Sequence, residues 1–126
     1  MIVLDTDVLI EIFDKKSEKG DEALKRILES GKSISITVIN LHEILYGLTK
    51  YAKPIKEILQ LPMLNYTKED AILSAKLELE TESQGKAIRR TDAMIAAITI
   101  NAKASLYTLD LKHFQPLTAL GLKLFP

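Results

Sequence analysis

No cysteine occurs among the 126 residues, which removes disulfides, thiolate zinc sites and a cysteine nucleophile and agrees with a reducing compartment, so the cytoplasm is the expected location. No charge of one sign predominates: 17 Lys plus Arg face 17 Asp plus Glu. No global positive field draws in nucleic acid, and any such binding has to rest on a local patch. No long hydrophobic run is present either. The most notable uncharged stretch, Ala93 to Ala102, is about half of the roughly 20 residues that a membrane span needs, and Asp5 interrupts the N-terminal apolar residues before a signal-peptide core could form. Neither a membrane nor a targeting segment is expected. Repeats, low-complexity tracts and linkers are absent too, and a chain of this length, 47% hydrophobic, fits one domain over residues 1–126.

Several catalytic signatures are missing. His42 and His113 lack H-E-x-x-H or Cys/His spacing and read as ordinary surface or boundary histidines, so zinc is not expected. Gly31-Lys32-Ser33 resembles the end of a P-loop, but that motif needs Gly five residues earlier, where Arg26 stands. No G-x-S-x-G elbow occurs.

What is there alternates between strand and helix patterns. Ile2 to Leu4 is a short apolar run suited to a strand buried on both faces, followed by a helix from about Asp7 to Phe13. Asp14 to Gly20 reads as a turn. Asp21 to Ser30 reads as a helix with Ala23, Leu24, Ile27 and Leu28 on one side and Gly31 as its stop. Ile34 to Val38 alternates like a strand. Asn40 can cap a helix with Leu41, Ile44, Leu45 and Leu48 inward, and Pro54 opens a short helix that Pro62 ends. Met63 to Tyr66 is a short strand. Thr67 with Asp70 resembles a cap for a helix to Ser83 whose core face carries Ile72, Ala75 and Leu79. After a polar loop, Thr91 caps a helix from Asp92 to Asn101 that is apolar nearly all round. Ser105 to Thr108 is a strand, Asp110 to Phe114 a helical turn, and Leu120 to Phe125 an edge strand. The alternation implies an α/β class: a three-layer α/β/α sandwich around a largely parallel sheet of about five strands.

Ligands bind such sheets beyond the carboxyl ends of the strands. Asp5, Glu43 and Asp110 fall at that edge, and Asp92 begins a helix, where the dipole favours negative charge. Carboxylates converging at the edge of a core repel one another and lose hydration unless a divalent cation binds among them, so the four read as a metal site. Three of them have a plainer reading. Asp5 caps a helix, Glu43 is a solvated helix residue and Asp92 is helix-start chemistry. Gly47 shifts the balance for Glu43: a mid-helix glycine costs about 1 kcal/mol relative to Ala, so something is expected to approach there. Lys86, Arg89 and Arg90 form the densest basic cluster, and Arg89 or Arg90 is the candidate for a substrate phosphate. All-oxygen ligands select Mg²⁺ or Mn²⁺.

Four segments together resemble the PIN domain, and in size the VapC-like toxins of toxin–antitoxin pairs: I-V-L-D-T-D-V-L-I from Ile2, E-I-L-Y-G from Glu43, D-A-M-I-A-A from Asp92 and T-L-D-L-K-H-F from Thr108. The resemblance implies an endoribonuclease using one or two Mg²⁺ or Mn²⁺ ions, with Asp5, Glu43, Asp92 and Asp110 as ligands or water-orienting groups. Thr6, Asp7, Thr108, Arg89 and Arg90 then take supporting or substrate-facing positions. The family more often has Asn at Asp7. Many relatives carry a further acid just before the Phe, where this chain has His113, which weakens the case for a second tightly bound ion. The resemblance also implies an RNA substrate, transfer or messenger RNA, leaving 5′-phosphate and 3′-hydroxyl ends. It further implies a homodimer and a small antitoxin docking near Leu9, Ile12, Phe13, Leu45 and Leu48, residues that also read as core.

Two rival readings stand beside it. D-T-D-V-L from Asp5 to Leu9 nearly matches the nucleophile motif of haloacid-dehalogenase-like aspartyl-phosphate phosphatases, but Leu9 stands where Thr or Val belongs. A non-catalytic module is the other, either a receiver-like phospho-switch or a PIN fold kept for binding. A receiver needs adjacent acids after the first strand and an Asp after a middle one, and this chain has neither.

Overall fold

Ile2, Val3 and Leu4 form strand β1 (Ile2–Leu4), essentially without solvent contact on either side, in a computed structural model that describes all 126 residues. Ile2 and Leu4 point into one core with Val8, Leu9, Ala23, Ile27, Ile44 and Leu48. Val3 points into another with Leu77, Ile95, Ala97, Leu106 and Phe114. Two cores on opposite faces of one strand make the expected three-layer sandwich.

The sheet holds β1, β2 (Ile34–Thr37), β3 (Met63–Leu64), β4 (Ser105–Tyr107) and β5 (Lys123–Leu124) in the order β3-β2-β1-β4-β5. Every pairing is parallel, with Ile2 opposite both Ile34 and Ser105. The chain winds outward from β1 through β2 to β3, then returns to lay β4 on the other side of β1. The switch of direction between β1 and β4 opens a crevice at their carboxyl ends.

Helices α1 (Thr6–Leu9), α2 (Glu18–Ser30), α3 (Val38–Lys50) and α4 (Lys56–Leu59) supply the first core, and α5 (Lys68–Ser83), α6 (Arg90–Asn101) and α7 (Leu111–Phe114) the second. The stretch read as a turn after Phe13 is largely helical. A π-helical segment, Ile10–Lys15, continues α1, and Ser17 caps α2 by accepting from Gly20 N. Leu24 and Leu28 on α2 are exposed rather than inward, while Gly31 ends the helix at φ 67° as expected. The cap of α3 is Thr37, not Asn40: Thr37 Oγ1 accepts from Asn40 N and Asn40 Oδ1 from Thr37 N. Likewise Arg89, not Thr91, precedes α6 as its cap residue.

The inward face of α5 differs from the sequence expectation. Ile72, Ala75 and Leu79 are exposed, and the buried residues are Asp70, Ser74, Leu77 and Thr81. The buried hydroxyls bond their own helix, Ser74 to Ala71 O and Thr81 to Leu77 O, so they pack against α6 without an unmet donor. No helix is long and apolar enough to cross a membrane.

Candidate active site

Asp5 follows β1 and caps α1, its Oδ1 accepting from Thr6 N at 2.9 Å. Capping leaves Oδ2 free, and this oxygen accepts from Thr108 Oγ1 at 2.8 Å, at the end of β4. Residues from opposite ends of the chain thus meet in the crevice. Asp7 joins them: its Oδ2 accepts from Leu109 N at 3.1 Å and lies 3.3 Å from Thr108 Oγ1. Asp7 Oδ1 is buried with no hydrogen-bond partner. Burial, then the charge of Asp7 and more weakly that of Asp92, push Asp5 from the ordinary 3.8 to about 7, against the lowering bonds from Thr108 and Thr6. Burial also raises Asp7, with a smaller push from Asp110.

Glu43 enters from the second turn of α3. Thr6 Oγ1 donates to its Oε1 at 2.7 Å and in turn accepts from Asn40 Nδ2 at 3.1 Å. Asn40 is fully buried, reaches Asp5 Oδ1 at 3.4 Å, and has its own Oδ1 held by the Thr37 hydroxyl at 2.7 Å. This chain of satisfied bonds fixes Asp5, Thr6 and Glu43 relative to one another.

Asp92 is 3% exposed in the first turn of α6. Its Oδ2 accepts from Arg89 Nε at 3.0 Å and lies 2.6 Å from His113 Nε2. The bond and charge of Asp92, then Glu43 and Asp5, strengthen the hold of Arg89 on its proton. Arg90 turns away from the acids, its guanidinium making two bonds to Glu78 at 3.0 and 3.1 Å. Asp110 is exposed and caps α7, accepting from His113 N at 3.2 Å. Beside it a cavity of about 310 Å³ is lined by Lys86, Asp110, Lys112 and His113 among others.

All four predicted acids therefore lie around one crevice, with Asp5 and Asp92 buried, Glu43 half-buried and Asp110 at the rim. As the side chains stand, no three carboxylate or imidazole groups have the spacing of ligands to one ion; Asp92 Oδ2 is engaged by Arg89 and His113 instead. The donor chemistry still fits a hard divalent cation. The groups are carboxylate oxygens, two of the carboxyls, Asp5 and Asp7, are raised chiefly by burial and further by neighbouring acids, and one buried oxygen of Asp7 has no donor.

Sequence reasoning missed three of these residues. Asn40 reads as a cap from the sequence, although its place one turn before Glu43 on the same helix is a usable signal. His113 reads as a boundary residue by its spacing and stands at a family acid position only by the resemblance, and neither signal relates it to Asp92, which the fold brings within 2.6 Å. Lys112 reaches the basic cavity only through the fold.

The family model described as PIN domain matches residues 2–116. The chain belongs to the PIN domain family. This PIN domain is 28% identical over 132 residues to ribonuclease VapC1 of Methanocaldococcus jannaschii, covering 98% of this chain and 86% of that protein. It is 25% identical over 120 residues to ribonuclease VapC2 of Rickettsia felis, covering 90% and 89%. Among solved structures, VapBC2 from Rickettsia felis bound to a DNA fragment from its promoter aligns with a TM-score of 0.82 at 25% identity, over 99% of this chain and 98% of that one. FitAcB from Neisseria gonorrhoeae shares the fold, with a TM-score of 0.80 at 21% identity over 100% and 97%. The haloacid-dehalogenase-like and receiver readings have no place in a PIN domain.

Proposed function

We propose that this PIN domain is a cytoplasmic endoribonuclease dependent on Mg²⁺ or Mn²⁺, the toxin of a toxin–antitoxin pair. One observation carries the reading: Asp5 and Asp92, from distant segments, are both buried at the carboxyl edge, where the charge of Asp92 acts on Asp5. The relatives named as ribonucleases support RNA as the substrate. Asp5, Glu43, Asp92 and Asp110 would hold the ion, with Asp7 supplying its unpartnered oxygen. When bound, Mg²⁺ or Mn²⁺ supplies counter-charge to the acids and Lewis acidity for attack of water on phosphorus.

The chain's own residues do the rest. Thr108 and Asn40 orient Asp5, and Thr6 orients Glu43. Arg89 is the arginine left to bind substrate phosphate, since Arg90 is committed to Glu78. Lys86 and Lys112 beside the acids give a neutral chain the local positive patch that an RNA backbone needs. A homodimer is supported by Ile72 and Leu79, 50% and 68% exposed on α5. For a small antitoxin, Leu9 and Leu48 are sealed in the core, whereas Leu24, Leu28 and Tyr46 are exposed on α2 and α3.

The test is digestion of RNA by the purified protein with Mg²⁺ or Mn²⁺ against a chelator, comparing the parent with Asp5→Asn and Asp92→Asn. The parent is expected to cut only with the ion, leaving 5′-phosphate ends, and each folded variant to lose roughly 100-fold or more in rate. Parental cleavage by both variants would remove the site, and cleavage indifferent to chelator would remove the metal.

A further inference from the structure

Asp92 is held from two directions by groups of unlike standing. His113 reaches it from α7 and is half-buried, whereas Arg89 reaches it from the loop before α6 with a side chain 70% exposed. Arg89 spends only Nε on the carboxylate, and its terminal amino groups make no hydrogen bond. Arg90 is the contrast, using Nε and Nη2 together on Glu78. A guanidinium bonded through one edge nitrogen keeps its forked end for another acceptor, and a phosphate matches that fork. The backbone suits this, since Arg89 is the extended cap residue of α6 (φ −68°, ψ 146°) and its side chain is not confined by a helical turn.

The neighbours of Arg89 are also the acids that the nuclease reading gives to the ion. Asp92, Glu43 and Asp5 all act on its charge. A divalent cation among those carboxylates and a guanidinium bonded to one of them repel each other and compete for the same oxygen. Loss of Arg89 would leave Asp92 with His113, so the carboxylate keeps one partner and its orientation.

We propose that Arg89 exchanges partners, serving as the stand-in cation on Asp92 in the ion-free protein and moving to an RNA phosphate once the carboxylates hold their ion. The proposal rests on the metal-nuclease reading of the same site and adds an opposition: Arg89 weakens ion binding and strengthens substrate binding.

The experiment pairs calorimetric titration with Mn²⁺ in the absence of RNA with steady-state cleavage of a single-stranded RNA, for the parent, Arg89→Gln, Arg89→Lys and Asp5→Asn. Melting curves check that the variants fold, which the exposure of Arg89 leads one to expect. Arg89→Gln is expected to bind Mn²⁺ roughly 1.5- to fivefold more tightly, the range spanned by a largely exposed ion pair. Its KM for RNA is expected to rise by a similar factor, with a shallower dependence on salt. Arg89→Lys, which keeps the charge and loses the fork, should fall between on both measures. Unchanged or weaker Mn²⁺ binding by Arg89→Gln, or an unchanged KM, overturns the exchange. If the parent binds Mn²⁺, Asp5→Asn does not, and Arg89→Gln matches the parent, the exchange alone fails. Absence of Mn²⁺ binding by the parent overturns it together with the nuclease reading.

Discussion

Ionising Asp5 is harder in the folded protein than in the unfolded chain, because the carboxylate loses water and faces Asp7 and Asp92. Its folded value of about 7 lies above the ordinary 3.8, so between those limits the folded state holds a proton that the unfolded state has released. Stability of the ion-free protein should therefore fall as pH rises from about 4 to about 7 and level off above, with Asp7 acting in the same direction. Asp5→Asn removes the ionisation and is expected to melt higher than the parent at pH 8, by on the order of 1–3 kcal/mol in stability, with the gap closing toward pH 4. Melting curves across that pH range check it, and a variant less stable than the parent at pH 8 contradicts it. An acid that destabilises its own fold is what a site kept for chemistry looks like, and the sequence showed this residue by placing an unpaired charge at the end of an apolar strand. Asn40 was not legible in that way. A polar residue three positions after Thr37 reads as ordinary helix-start chemistry, and only the fold shows its amide reaching Thr6 and Asp5.

Two glycines set the element scale, and they act oppositely. Gly20 lies where α2 packs against the π-helical segment, and a Cβ there would collide with the backbone of Glu11. Gly20→Ala is expected to lower stability by about 1–3 kcal/mol or more. Gly47, on α3 one turn after Glu43, has open space at the Cβ position. Nothing within this chain approaches it, so the sequence expectation of a close neighbour holds only for a group from outside the chain. Gly47→Ala should stabilise the isolated protein by about 0.5–1 kcal/mol. Denaturant unfolding of both variants checks the pair, and a shift of the same sign at both positions contradicts it. Helix α5 shows why element faces were less legible than element positions. Its cap, Thr67 with Asp70, formed as the sequence indicated. Its inward stripe was misassigned because Ser74 and Thr81 satisfy their hydroxyls locally and Asp70 is held by Asn101 at 2.8 Å, which lets polar residues occupy a buried face.

At the scale of the whole molecule, a chain with no net charge gathers acids at one crevice by topology alone. Strands β1 and β4 are neighbours because the chain reverses its winding between β3 and β4, and that reversal brings Thr108 to Asp5. The alternation of strand and helix patterns, and the acids at strand ends, made the class of fold and the four acidic positions readable beforehand. The contact of His113 with Asp92 and the nearness of Lys112 to Lys86 were not readable, since both depend on where α7 sets down against the loop before α6. The central claim, that these distant oxygens form one site for a hard cation, is tested most directly by anomalous scattering from crystals soaked in Mn²⁺. The expected result is a manganese peak bounded by the carboxylates of Asp5 and Asp92, and its absence from that crevice would contradict the claim.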